Sequence, residues 1–337
     1  MASLMFVEDQ ERPDLRTFAK LTQADMKGYA FGKFMPVITT TEKGGSIWVA
    51  PTTLTNAAGV TGRANGSALS ATALATLQVD YTTARIEGRA AIYENEMHGF
   101  ADINAACQAG ATVAGRKVLN SIETAAIGTV FTSVRTTAAT TMADHEVVKT
   151  IQKAAIAIRA YGKACLGLSD TAFLKLCDIP EIRRRLEAFS KTSGDVGYMA
   201  LNDEKVRASI STLLYVNEIA VYDSAVVGTD NDGYVAVVGI RPDAIGKTGD
   251  AVRTIAKTDA MFGAMMVYIP QDAAAEEPFV VSQSSDKTDK VNYFDAEGFV
   301  VAKNFTAATA AEGGTSLTEN GGAVVLAFAG EYTEYRA

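Results

Sequence analysis

Histidine is nearly missing from this chain: there are 2 in 337 residues, beside 3 Cys, 1 Trp and 7 Pro. So few imidazoles leave little room for histidine-based metal centres or for His-dependent acid–base catalysis. Cys107, Cys165 and Cys177 are odd in number, far apart and without a Cys-x-x-Cys pair, which reads as free buried thiols in a reducing compartment. Positive charge is also short. Lys and Arg number 31 against 39 Asp and Glu, giving a net charge of −8 and a pI near 5.0, which excludes a protein whose chief task is to neutralise phosphates. Long apolar runs are absent: 261–270 and 323–329 fall well below the roughly 18 residues of a membrane span. The first 20 residues mix acids and bases with no apolar centre, so they do not read as a signal peptide. What is present is a chain 48% hydrophobic and rich in Ala, Gly and Thr, one that folds.

Along the chain, residues 1–34 read as an arm. It carries a few aromatics, among them Phe18, Tyr29, Phe31 and Phe34, but too little apolar surface to fold alone. Residues 35–95 have strand-like flanks (MPVITTTEKGGSIWVAP and TLQVDYTTARIEGRAAIYE) around some 25 small, Gly- and Thr-rich residues. Such a segment cannot bury anything by itself, and a long β-hairpin packed on another copy of the protein is the expectation. Residues 100–128 predict one long helix with Asp102 as N-cap and Gly128 as stop. Its stripe is Ile103, Ala106 or Cys107, Ala114, Val118, Ile122 and Ala125. About 26 residues would run for about 39 Å. Because the stripe is largely Ala, its partner comes close, and a sheet is the expected partner.

A Thr/Ala linker (132–143) precedes a second helix, 144–162, capped by Asp144 and ended by Gly162. A short strand at 164–170 follows, then a helix over 178–189 with Pro180 in its first turn. Strands are expected at 213–227 and 232–240, joined by a turn at Asp230-Asn231-Asp232-Gly233. Helices alternating with strands over 144–241 mark an α/β or α+β subdomain. The remainder reads as β, in segments 260–270, 277–286, 290–305 and 321–335.

The chemistry-bearing constellations are thin. Glu94, Glu96 and His98 would share a face if ENEMH were a strand, and a solvated face accounts for them. His145 opens a helix between Asp144 and Glu146, where acidic neighbours suit the macrodipole. Gly246-Lys247-Thr248 resembles the end of a phosphate loop, but Arg241 stands where the first Gly is needed and Pro242 interrupts the turn. Arg183-Arg184-Arg185 lies between Glu181 and Glu187, where intrahelical pairs account for it. No catalytic set, cofactor site or metal site emerges, and the chain does not read as an enzyme.

The order of parts resembles the major capsid proteins of tailed bacteriophages, the Hong Kong 97-type fold. The resemblance is carried by Phe34-Met35-Pro36 before the hairpin, Arg63 in a Gly-rich tip, the strand YTTARIEGRAAIYENE and the helix ending NSIETAAIG. It continues through VVKTIQKAAIAI, LGLSDTAFLKLCDIPEIRRRLE and VNEIAVYDSAVVGT, across nearly the whole chain. It implies an α+β subunit with an N-terminal arm (1–34), an extended loop (35–95), a peripheral domain with a spine helix (96–140 and 250–305) and an axial domain (141–249 and 306–337). It implies a self-assembling structural subunit whose hexamers and pentamers form an icosahedral shell around double-stranded DNA, without sequence-specific binding and without a membrane. Portal and decoration proteins are the implied partners, the virion the implied location, and the host cytoplasm the site of synthesis. An encapsulin-like nanocompartment shell of the same fold is the alternative. The assembly-interface residues expected are Trp48, Gly59, Gly62, Arg63 and Gly66 of the hairpin, with Phe31 and Phe34 of the arm. Some members crosslink a hairpin Lys to a neighbour's Asn. Lys43 is the hairpin's only Lys, and that chemistry is not carried over.

The family's helical scaffolding region has no counterpart ahead of the arm, so a separate scaffolding protein is expected. Expression of this chain alone should then give soluble subunits or aberrant particles, read by sedimentation; a uniform population of closed shells would contradict it.

Overall fold

The computed structural model describes residues 10–21, 28–50, 77–135, 140–143, 146–184, 186, 204–245, 247, 249–271, 273–274, 277–305 and 322–329. Its larger sheet is built on the 14-residue strand β12 (Val291–Asn304). One edge of β12 pairs antiparallel first with β11 (Val280–Asp286) and then with β10 (Gly263–Tyr268), while its other edge takes β5 (Ala84–Tyr93). Two short strands from the start of the chain complete the sheet. β1 (Gln10–Glu11) lies antiparallel to β11, and β2 (Val37–Thr40) lies parallel to β10. The arm, expected to have too little apolar surface to fold alone, is fastened over residues 10–21 to its own subunit. Leu15 and Ala19 are buried there, and Arg16 pairs with Glu11.

On β5 every second residue is buried: Gly88, Ala90 and Ile92 face inward while Arg85, Glu87 and Arg89 face out, the period-two pattern of a sheet with one covered face. The outer face is tied by cross-strand ion pairs, Arg85 to Glu297 at 2.5 Å and Arg89 to Asp295 at 2.6 Å. The cover is helix α2 (Ile103–Arg135), introduced after the short helix α1 (Phe31–Phe34). Asp102 caps α2, accepting a hydrogen bond from the Ala105 N–H at 2.7 Å. The helix runs for 33 residues, about 50 Å, past the expected stop at Gly128. A lone glycine lowers helix propensity but cannot end a helix whose flanks are held by packing, and Val130 and Phe131 are both buried. Ala106, Cys107, Ala114, Val118 and Ile122 face the sheet as expected. Ile103 and Ala125 do not: both are exposed.

The second sheet has the order β6 (Thr140–Met142), β13 (Ala323–Phe328), β9 (Tyr234–Ile240), β7 (Lys163–Ser169), β8 (Glu218–Tyr222). Helices α3 (Val147–Ala157), α4 (Asp170–Asp178) and α5 (Glu204–Leu214) pack on one face over a core of Ile151, Leu166, Phe173, Ile210 and Val237. Gly162, at φ +122°, ends the turn that follows α3, as expected. Three expectations need correction. The strand expected over 213–227 is confined to β8; Leu213 and Leu214 finish α5, and Ser224–Val227 form a short helix, α6, capped by Asp223. Helix α3 begins at Val147 with Glu146 as its N-cap, while Asp144 and His145 lie outside the described residues. Residues Glu94–Gly99 form a 3-10 turn, so Glu94, Glu96 and His98 do not share a strand face.

The approach of α2 to the larger sheet is close enough to fix residue size. A Cβ on Gly88 would run into the Ala114 carbonyl oxygen, a backbone atom that cannot step aside. Gly128 has open space within its own chain. Gly88→Ala should therefore cost about 1–3 kcal/mol in denaturant unfolding of the subunit, whereas Gly128→Ala should raise stability by about 0.5–1 kcal/mol. Equal effects at the two positions would contradict this packing.

Candidate assembly surfaces and the joint that sets them

The hairpin is present as β3 (Gly44–Val49) and β4 (Leu77–Thr82), antiparallel from Gly44 opposite Thr82 to Val49 opposite Leu77. Its two faces differ. Ile47, Val49, Val79 and Tyr81 are buried against helix α7 (Asp250–Thr258), with Val252 and Ala256 beneath them. The Ala50 N–H donates to the Ala256 carbonyl at 2.6 Å. The opposite face carries Trp48, 47% exposed, beside Ser46 and Gln78, whose amide donates to the serine hydroxyl at 2.7 Å. The hairpin thus exposes about half of a large aromatic side chain on one face while its reverse face is buried. Gly59, Gly62, Arg63 and Gly66 lie outside the described residues. Lys43 sits at the root of the hairpin, its ammonium 3.5 Å from the centre of the Phe299 ring, a cation–π arrangement.

Phe31 and Phe34 are 0% and 1% exposed. Both are spent inside the subunit and offer nothing to a neighbour, a correction to their expected interface role. The reason lies in α1, which is wedged between α2 on one side and β7, β8 and β9 of the second sheet on the other. The ring of Phe34 lies directly on Gly167, where a Cβ would collide with it. Phe31 meets the ring of Tyr29 at 5.7 Å between centroids. Across the same joint, Phe131 of α2 packs edge-on against Tyr222 of β8 at 6.0 Å.

The wedge is pinned by a residue that sequence reasoning passed over. Glu123, 3% exposed in the core face of α2, accepts hydrogen bonds from the Ala30 N–H at 2.9 Å and the Phe31 N–H at 2.8 Å. These amides open α1 and have no partner within the helix, so a carboxylate there satisfies them and matches the helix dipole. Burial pushes the Glu123 carboxyl above its usual value, and the two backbone donors and Lys33 partly offset that. The signal was in the sequence: Glu123 stands four residues from both Leu119 and Ile127 on the buried stripe, where an apolar side chain is due. From the other side, Lys33 of α1 pairs with Glu218 of β8 at 3.2 Å. Beside the pin lies a cavity of about 530 Å³ lined by Tyr29, Asn120, Glu123, Arg207, Tyr222 and Asp223.

The rest of the chemistry is quiet. The three cysteines are free; burial raises all three thiols, that of Cys177 to about 11, so they stay protonated at neutral pH. Among the described residues no three His, Cys, Asp or Glu side chains are grouped to hold a metal, and no helix is long and apolar enough to cross a membrane.

If the wedge joins the sheets by packing, Phe34→Ala should lower subunit stability by about 3–5 kcal/mol in denaturant unfolding. Removing the partly exposed ion pair with Lys33→Ala should cost no more than about 1 kcal/mol. The reverse order would contradict the assignment.

The sequence matches no protein-family model and no curated protein. Solved structures, however, match over nearly the whole chain. A phage-related protein from Bordetella bronchiseptica RB50 is 14% identical with a TM-score of 0.54, over 88% of this chain and 94% of its own. A virus-like particle from Pyrococcus furiosus is 13% identical with a TM-score of 0.50, over 93% of this chain and 97% of its own. At such identities the likeness is one of fold. The chain shares the fold of this phage-related protein and of this virus-like particle, in keeping with the capsid-protein fold that its sequence resembles.

Proposed function

We propose that this chain is a shell subunit, many copies of which assemble as hexamers and pentamers into the icosahedral head of a tailed, double-stranded DNA phage. The observation that carries the reading is the hairpin β3–β4, apolar and fastened on one face, bare and tryptophan-bearing on the other. A subunit standing alone gains nothing from such a face; a subunit with neighbours gains a contact. Individually modest contacts repeated around a closed shell give a stable particle through multivalency. In this reading residues 1–34 form the arm, 35–95 the extended loop, 96–140 with 250–305 the peripheral domain, and 141–249 with 306–337 the axial domain. A net charge of −8 suits a wall that must enclose DNA without gripping it. A separate scaffolding protein, a portal and decoration proteins are the partners in this reading, the virion is the location, and the chain has no enzymatic role.

A second reading has an observation behind it. The likeness to the Pyrococcus furiosus virus-like particle, which covers 93% of this chain, supports an encapsulin-like compartment shell as well as it supports a phage head. The two differ in content, nucleic acid or protein cargo, and not in how the subunit works.

Purified material, co-expressed with its scaffolding protein if one is needed, should sediment as particles tens of nanometres across in electron micrographs. A small discrete oligomer under those conditions would sink both readings. Trp48→Ala and removal of residues 56–68 should each leave a folded subunit by circular dichroism that assembles poorly or not at all. Normal shells from the shortened chain would refute the clasp role of the hairpin.

A further inference from the structure

The hairpin meets α7 along an edge that carries positive charge and no acid. β3 pairs only with β4. The Thr83 N–H donates to the Lys43 carbonyl, while the Ala50 N–H turns the other way, to Ala256 of α7. By the alternation of an antiparallel ladder, Ser46 and Trp48 direct their backbone N–H and C=O groups away from β4, to the same free edge as Ala50. Between that edge and α7 is a cavity of about 70 Å³. Ser46 and Trp48 line it from β3, and Arg253, Ala256 and Lys257 from the helix. Arg253 and Lys257 stand one helical turn apart, side by side on α7. The Nη2 group of Arg253 donates to the Thr39 carbonyl at 3.1 Å, which holds the side chain in place, but its buried Nε has no hydrogen-bond partner among the described residues. A guanidinium N–H buried without an acceptor is costly. Lys257 is exposed and makes no ion pair among the described residues. No described carboxylate lines the cavity. Asp80, the one acid of β3 and β4, lies opposite Ser46 and is not among its walls.

We propose that this notch takes a carboxylate, the side chain of an aspartate or glutamate of a second copy of this chain packed against the Trp48 face. Arg253 and Lys257 supply charge-assisted donors, and the guanidinium is already fixed in direction by Thr39. The outward N–H groups of Ser46 and Trp48 add neutral donors along the free edge. The Trp48 ring, 47% exposed, offers apolar cover for the stem of the incoming side chain. A cavity of this volume suits a small polar head group and not a length of chain. Charge complementarity favours a second copy as the source. Each copy carries 39 acidic residues against 31 basic ones, so its surface offers carboxylates in excess. The pair supplies what the tryptophan alone does not: an aromatic contact tolerates sliding, whereas a carboxylate held between two cations fixes the neighbour's register. The inference rests on the shell reading and names the chemistry that the neighbour brings to the hairpin.

A reconstruction of assembled wild-type particles reads the notch directly. A carboxylate of the adjacent subunit should lie within about 4 Å of the Lys257 ammonium or the Arg253 guanidinium. A notch that holds only water, a free anion or a residue of its own chain overturns the proposal. Lys257→Glu should leave denaturant unfolding of the subunit unchanged and cut the yield of particles about tenfold or more, while Lys257→Arg should assemble as the wild type does. Lys153→Glu makes the same change of charge on an exposed residue of α3 and should leave the yield within about twofold. Equal losses from Lys257→Glu and Lys153→Glu, or normal assembly of Lys257→Glu, overturn the proposal and leave the shell reading standing. If Lys257→Glu does not fold, the reconstruction decides. A wild-type chain that forms no particles with its scaffolding protein present refutes the shell reading, and this inference falls with it.

Discussion

Two phenylalanines of a four-residue helix hold this molecule together. Phe31 and Phe34 fill the space where the long helix α2 meets the second sheet, and the buried core runs through them without a break. The wedge works because each neighbour accommodates it. Gly167 leaves room for the Phe34 ring, and Glu123 satisfies the amides that a short helix exposes at its start. Of this segment Phe31, Gly32 and Phe34 are all buried, and the chain passes from it through Met35 and Pro36 into β2.

That path sets the surface on which the proposed function rests. β2 lies parallel to β10 in the larger sheet, and the chain turns from it at once into β3. The hairpin is further held by α7, so its bare face is presented by a rigid body and not by a free loop. A shell needs that property: contacts repeated many times close into a particle only if the angle between neighbours is reproducible. The Ala- and Gly-rich composition has a matching reason. Small residues let α2 lie directly on β5 and β12.

Much of this was legible in the sequence. The strand alternation of 84–93, the N-cap Asp102 and the stop at Gly162 all follow from local chemistry, and the structure has them. The errors share a physical cause, which is that local signals cannot see tertiary partners. Gly128 reads as a helix end until Val130 and Phe131 are known to be buried. Phe31 and Phe34 look surplus on a weak arm, hence the expectation of a neighbour, until Gly167 supplies the site on the same chain. Glu123 looks like an ordinary helix acid, and only its place in the apolar stripe hints otherwise. Of the expected interface residues, Trp48 is on the bare face of the hairpin, and that contrast between faces comes from the alternation of Ile47, Trp48 and Val49.

In the proposed shell, aromatics of one N-terminal region have opposite fates: those of the wedge serve the fold of their own subunit, and Trp48 serves the neighbour. A cryo-electron microscopy reconstruction of assembled particles tests this most directly. It should place Trp48 against the adjacent subunit, with Phe31 and Phe34 still between α2 and Gly167 of their own chain. A reconstruction with Trp48 facing solvent, or with the wedge inserted into the neighbouring subunit, would contradict the account.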